Sequence, residues 1–472
     1  MDFNVIPEQV IGLGKAEQAQ LAELKKVYQF HRSKNRTKAK YYEGHITLGE
    51  VNLGIALPEG FTGLEIGCEW GAKTVDVLAA RSMFDGFVGV NGDTDEQLQE
   101  IVTGNRLIAE YRKICRDELK FGCTFATLSA DPQLKCRIRF HTPLTAAAIW
   151  DGTKGRIGCG MAIIDSVKDE SETPFWKPSV INLYTDDAIW VMTRNRYIWK
   201  AKKHPHRMGR PLMEPLIWNA TSAKPFGRSR IKEPVRRLIQ GYVRTIANAT
   251  IGLEFSTAPQ KYLLGVTDEE FDQVINQKFR QYIGNILAAT TNPDTGEKPS
   301  FGQLTQGSIT PHVEMLRILA TQFSAATGLS VTDTGVVNDA NPTSSDAILA
   351  QSQTLIQLAE ELNTGNGDAM RTIALMALAI ANNTTIEDLP QEKRDIIAHF
   401  RNPAMPSIAA TADAATKIAA SRQGFADTDI YLEMVGFDQA DIRRIKAQET
   451  RARGMTILEE IEDETTGEEG LE

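Results

Sequence analysis

A loop of about fourteen residues, 329–342 (LSVTDTGVVNDANP), separates two segments with strong helix signals. The first helix is expected over 311–327. Pro311 suits a first helical position, and Met315, Leu316, Leu319, Ala320 and Phe323 fall on one face. Gly328 stands where a helix end calls for a residue tolerant of positive φ. The second helix opens at Thr343, whose spacing to Asp346 fits a capping box, and the run from Ala347 to Leu362 is rich in helix formers. Connections in compact domains are usually shorter, so a loop of this length is either disordered or functional. The rest of the chain reads as an arrangement around this helix, loop and helix.

A chain of 472 residues can bury several cores, and roughly two to four domains are expected. No run of about eighteen apolar residues marks a membrane span, and the first residues lack the basic start and apolar core of a secretory signal. Cys68, Cys115, Cys123, Cys136 and Cys159 are too scattered for a disulfide framework and read as reduced, buried thiols of a cytosolic compartment. A net charge of −9 argues against a protein that coats nucleic acid, though not against one that contacts DNA without gripping it.

Residues 15–40 are expected to form a helix with Leu21, Leu24, Val27 and Phe30 inward and a basic end. Further helices are expected over 69–83 and 95–118, with a short strand at 87–90 between them. From 121 to 218 the period switches to two, and short β-rich runs separated by turn residues predict a meander of hairpins. Trp190 and Trp199 lie in adjacent strands of it as packing anchors. His204 and His206 form an H-x-H pair with no third ligand at a telling spacing.

A long helix is expected over 229–256, with a basic first half of Arg228, Arg230, Lys232, Arg236, Arg237 and Arg244. These cations fit a solvated face, a contact with a neighbouring subunit, or a contact with DNA phosphates. Residues 258–306 read as a small α/β insertion between two long helices. Gly365-Asn366-Gly367 predicts a break or kink. The stretch 384–454 reads as helices, including 408–421 and 438–453, and the acidic run 459–472 reads as mobile.

The chemistry of catalysis is missing. The chain has no G-x-x-x-x-G-K-[ST], no G-x-G-x-x-G, no G-x-S-x-G, no H-E-x-x-H and no C-x-x-C. The glycines and lysine of GLEIGCEWGAK, residues 63–73, have the wrong spacing for a phosphate cradle. The residues therefore point to a multi-domain α+β protein that is not an enzyme, with no catalytic, cofactor or metal residues assigned.

Several strings, taken in order over nearly the whole chain, resemble the portal proteins of tailed double-stranded DNA bacteriophages, in the branch of the long-tailed siphophages. They are Tyr41-Tyr42-Glu43-Gly44, Asp85-Gly86-Phe87, Asn105-Arg106-Leu107, His206 to Pro211 followed by Asn219, and Phe226-Gly227-Arg228-Ser229-Arg230. Pro259-Gln260-Lys261-Tyr262, Phe323-Ser324-Ala325-Ala326-Thr327-Gly328, Asn341-Pro342-Thr343-Ser344-Ser345-Asp346-Ala347-Ile348 and Ala412-Asp413-Ala414-Ala415-Thr416-Lys417 complete the set. Residues 60–75 match loosely, and the acidic tail has no counterpart.

The resemblance implies a mainly helical portal fold: a wing over 1–227 containing the β-rich 121–218, a first stem helix at 228–258 and a clip at 259–307. A second stem helix at 308–328, a tunnel loop at 329–342, a long kinked helix at 343–383 and a crown at 384–472 with its acidic tail would follow. It implies a homo-oligomeric ring, a dodecamer, at one capsid vertex of the virion, assembled in the host cytoplasm, through which DNA is packaged and ejected. Its partners would be double-stranded DNA, the terminase large subunit, head-completion or adaptor proteins, and the major capsid and scaffolding proteins, with no membrane and no cofactor. The tunnel loop would present Val331, Asp333, Val336, Val337, Asn338 and Asp339 to DNA. The loop has no Lys or Arg. This suits a sliding duplex, because affinity for DNA rises steeply with the number of phosphate contacts. Two other readings stand beside this one: a capsid-associated adaptor or scaffold without a ring, and a DNA-processing enzyme with dispersed acidic residues.

Overall fold

The computed structural model describes residues 6–47, 65–89, 95–168, 176–196, 198–257, 261–264, 300–303, 308–336, 345–404, 408–422, 424–437 and 439–468. The chain is a mixture of helix and antiparallel sheet and divides into two compact units. One comprises Met1–Ala39, Thr74–Lys232 and Ser344–Glu472, the other Lys40–Lys73 and Glu233–Thr343.

The first unit is built on helix α1 (Lys15–Glu43), which has no Gly or Pro to interrupt it. Its inner stripe of Leu21, Leu24 and Tyr28 packs on a five-stranded antiparallel sheet in the order β10-β9-β8-β7-β6. Those strands are β6 (Ala146–Asp151), β7 (Arg156–Lys168), β8 (Trp176–Tyr184), β9 (Ala188–Asn195) and β10 (Ile198–Pro205). Met161, Ile163, Ile181, Leu183, Met192, Trp190 and Trp199 form the facing layer, so the two tryptophans are the packing anchors expected of them. Phe30 is 67% exposed and is not part of the stripe; Tyr28 takes the inward place and donates to the Leu144 carbonyl at 2.7 Å. A second sheet, in the order β11-β4-β5, joins β4 (Cys123–Asp131), β5 (Lys135–His141) and β11 (Met213–Ile217).

After the antiparallel pair β1 (His45–Thr47) and β2 (Glu65–Gly67), helix α2 (Trp70–Ala79) is shorter than the 69–83 expected and leads to β3 (Phe84–Gly89). The single helix expected over 95–118 is two helices, α3 (Glu96–Gly104) and α4 (Leu107–Phe121). The cause is Asn105-Arg106. Asn105 donates to the carbonyls of Ile101 and Cys136 and accepts from the Ile138 amide, bracketing α3 to β5, while Arg106 turns with φ of 51°.

Beyond α5 (Glu233–Thr257), β12 (Lys261–Leu264), β13 (Ser300–Gln303) and α6 (Thr310–Thr327), which belong to the second unit, the chain returns as α7. Helix α7 (Ser345–Ala381) runs unbroken for 37 residues and packs on β4, β5 and β11. No break occurs at Gly365-Asn366-Gly367, contrary to the sequence expectation, because Asn366 is fully buried and pinned. Its amide donates to Tyr111 Oη at 2.9 Å and to Glu118 Oε2 at 2.8 Å. Tyr111 Oη also lies 2.7 Å from Ser82 Oγ, which donates to Asn363 Oδ1 at 2.6 Å. Burial raises the Glu118 carboxyl to about 8, and Glu118 Oε1 and Asn366 Oδ1 have no donor among the described residues.

The stretch after α7 is not all helix. A turn at α8 (Gln391–Arg394) is followed by strand β14 (Ile396–Phe400), which pairs antiparallel with β3. Phe84, Phe87, Tyr111 and Phe400 close that junction with ring centroids 5.1–5.6 Å apart. Helices α9 (Ile408–Ser421), α10 (Asp429–Val435) and α11 (Gln439–Glu468) follow. The helix expected over 438–453 thus continues to Glu468, into the acidic run expected to be mobile.

Candidate functional site

The second unit is organised on α5 and α6, which pack side by side. Gly241 of α5 faces Leu319, where a methyl group would sit 3.1 Å from Cδ2, so the glycine permits the close approach. Pro311 lies at the start of α6, and Gly328 closes it in the left-handed conformation at φ of 72°, its amide bonded to the Ser324 carbonyl at 2.9 Å. Both ends are therefore as the sequence indicated.

The loop leaves α6 as a folded base rather than an open coil. Leu329 is buried. The Asp333 carboxylate accepts from the Ser330 amide at 3.1 Å and from Ser330 Oγ at 2.8 Å, and Thr332–Thr334 form one 3-10 turn. Thr334 is buried, donates to the Val331 carbonyl at 2.6 Å, and gives its own carbonyl to Trp70 Nε1 at 3.1 Å. Gly335 ends the turn at φ of 75°. The Trp70 ring lies 4.6 Å from both Tyr242 of α5 and Phe323 of α6, so one buried indole clamps both helices and holds the loop base.

Trp70 comes from a stretch that carried no functional signal. Gly71 beside it lies against the Tyr41 carbonyl, where a Cβ would sit at 1.9 Å. The glycines of 63–73 thus include one required for helix packing, and Tyr41 in turn accepts a hydrogen bond from Gln240 Nε2 of α5. These contacts join Lys40–Lys73 to the second unit. The one sequence signal for Trp70 was its type and its place before a helix; its partners lie up to 264 residues away.

Of the residues expected to meet DNA, Val331, Asp333 and Val336 are half-buried in the loop base, and Val337, Asn338 and Asp339 lie outside the described residues. The basic set does not gather into one patch. Arg228 and Lys232 are exposed. Arg230 is 6% exposed within the first unit, donates to the Thr74 carbonyl at 2.6 Å and lies 5.8 Å from the Trp218 ring. Burial lowers its guanidinium to about 10. Its place is inside its own unit. Arg236 stacks 5.9 Å from the Tyr41 ring, Arg237 is exposed and pairs with Glu233 at 2.7 Å, and Arg244 is half-buried. On α6, Arg317 pairs with Glu314 at 3.2 Å. From 310 to 342 Arg317 is the one Lys or Arg, against Glu314, Asp333 and Asp339.

Elsewhere, His204 and His206 line a cavity of about 510 Å³ in the first unit with Asn182, Arg207 and Asn383. All five cysteines are buried and unpaired.

Residues 20–455 match the family described as phage portal protein, SPP1 Gp6-like. The chain belongs to this family. The portal protein of Mycobacterium phage D29 is 24% identical over 439 residues, covering 90% of this chain and 87% of the relative. That of Mycobacterium phage L5 is 24% identical over 424 residues, covering 86% and 84%. A chain in the solved virion of a native gene transfer agent particle aligns over 78% of this chain and 89% of its own length, with 11% identity and a TM-score of 0.44. Portal proteins are structural rather than enzymatic, which removes the reading of a DNA-processing enzyme.

Proposed function

We propose that this portal protein forms its ring at one vertex of the capsid and that DNA enters and leaves the head through it. The observation that carries the reading is the match to the portal family over residues 20–455. The second unit supports the finer assignment. Helices α5 and α6 act as the two stem helices, 329–342 as the tunnel loop, and 259–307 as the clip that meets the terminase large subunit and later the head-completion proteins. The first unit then serves as wing and crown against capsid and scaffolding proteins, with assembly in the host cytoplasm and twelve copies in the ring.

Charge and anchoring both fit a conduit. A duplex must slide, and each phosphate neutralised by a cation raises affinity and slows movement. The stretch 310–342 offers one arginine, already paired. A loop that touches moving DNA also needs a fixed base, which the Trp70 bond to Thr334 provides. Electron microscopy of the purified protein tests the ring: annular particles with a central hole are expected. Monomers or open filaments under all conditions would overturn it in favour of an adaptor without a ring.

A further inference from the structure

The five-stranded sheet of the first unit has two faces, and α1 covers one of them. On the other lies the cleft of about 510 Å³, between β8, β9 and β10, the C-terminal end of α7 and the segment 204–212. Its floor is aliphatic, made by Ile189, Val191, Met208, Leu212 and Ile380. Among the described residues no Asp or Glu lines it, and no Phe, Tyr or Trp offers a surface on which a nucleic-acid base would stack.

Cations stand at the mouth. Lys202 pairs in register with Val191, and His204 with Ile189; residues directly opposite each other share a sheet face. The exposed Lys202 therefore stands beside the floor residue Val191, and the exposed Arg207 lines the cleft itself. Among the described residues neither cation has an ion pair or a hydrogen bond. The acids that precede β9 are already taken, Asp186 by Lys154 at 2.8 Å and Asp187 by Lys203 at 2.7 Å. Burial lowers the basicity of His206, so its ring adds no charge at neutral pH.

The wall brings amide groups. Asn182 donates through Nδ2 to Tyr184 Oη at 3.3 Å, while its Oδ1 is shielded from solvent and has no donor among the described residues. Asn383, held at φ of 51° just past α7, presents a second side-chain amide. A bare anion has no proton to give Asn182 Oδ1, whereas a peptide N–H has one, and a peptide carbonyl accepts from an amide such as that of Asn383.

We propose that this cleft binds an extended acidic segment of a partner protein. An aliphatic side chain of the segment rests on the floor, a carboxylate meets Lys202 and Arg207, and main-chain groups meet Asn182 and Asn383. The volume falls within the range of ligand pockets, about 300–1,000 Å³, and suits a short stretch of peptide. Every lining residue lies in the first unit, so the site goes beyond the ring and does not depend on it.

Fluorescence anisotropy at low salt tests it, with a labelled hexapeptide alternating glutamate and leucine as the probe. Saturable binding is expected, weakened about tenfold or more by Lys202→Glu with Arg207→Glu. Replacing glutamate by glutamine, or leucine by serine, in the probe should weaken it by about tenfold as well. Lys26→Glu with Lys34→Glu, on α1 across the sheet, makes the same change in charge and should bind as the wild type does. All four substituted residues are exposed, and a tryptophan-fluorescence unfolding curve checks that each variant keeps its fold. A mouth variant that binds like the α1 control, or a glutamine or serine probe that binds as well, would overturn the site. So would displacement by equimolar inorganic phosphate, or no saturable binding below millimolar peptide. Each of these outcomes leaves the portal reading intact, because none of them bears on ring formation.

Discussion

Glu118→Gln should abolish a specific pH dependence of stability. Glu118 is fully buried, and burial raises its carboxyl from the ordinary 4.5 to about 8, opposed by the hydrogen bond from Asn366. The folded chain therefore holds this proton at pH values where the unfolded chain has released it. With the folded value raised, the stabilisation is fully present below about 4.5 and is lost as pH rises towards 8. Each pH unit in that window is worth about 1.4 kcal/mol, so from pH 5.5 to 7.5 the group contributes a fall of roughly 2–3 kcal/mol. Glu214 adds a fall of the same sign up to about 7, because burial raises it too, and His141, held at about 4 by burial, adds a rise with pH below 6.5. Both terms are common to the variant and cancel in the difference. Urea unfolding of wild type and variant at the two pH values, followed by tryptophan fluorescence, should show the wild type losing roughly 2–3 kcal/mol more than the variant. Parallel pH profiles, or a wild type that gains relative to the variant on raising pH, would refute a neutral buried Glu118.

Trp70→Ala should destabilise the second unit by about 3–5 kcal/mol through lost burial and the lost contacts to Tyr242 and Phe323. It also frees the Thr334 carbonyl, so protease cleavage at 329–336 should accelerate; unchanged cleavage would show that the indole does not hold the loop base. Val336→Lys adds one cation to a loop that has none, and should slow packaging in an in vitro motor assay with a steeper salt dependence. An unaltered rate at low salt would count against a non-gripping lining.

The sequence carried the periodic parts of the fold well. The β meander from 121, the paired tryptophans, the long helix α5, and the Pro311 and Gly328 ends of α6 all rest on local signals, and the structure keeps them. What it could not carry were contacts made at long range. β14 looks like one more apolar turn of helix until β3 is present to pair with it. Asn105 is a helix breaker only because β5 offers its backbone at Cys136 and Ile138. At the candidate site the loop was legible from its length, but its base was not. Nothing local in the sequence showed that one oxygen of the Asp333 carboxylate accepts from Ser330, three residues back, and folds the loop base. Arg230 read as one of six similar cations until burial separated it from the others.

Gly365 and Gly367 pose a sharper question, because the static packing does not require them. A methyl group at Gly365 would lie 4.0 Å from the Ile217 carbonyl oxygen, and one at Gly367 would lie 3.8 Å from Phe400, both ordinary contacts. Neither glycine has positive φ, and α7 is continuous through both. Each therefore costs about 0.5–1 kcal/mol relative to alanine with no steric return in this conformation. Gly365→Ala with Gly367→Ala should stabilise the chain by about 1–2 kcal/mol in chemical unfolding. A loss of stability would mean that the helix bends at this point in the isolated chain after all. A stabilised variant whose rings form but package poorly would place a bend of α7 at this point in a working state.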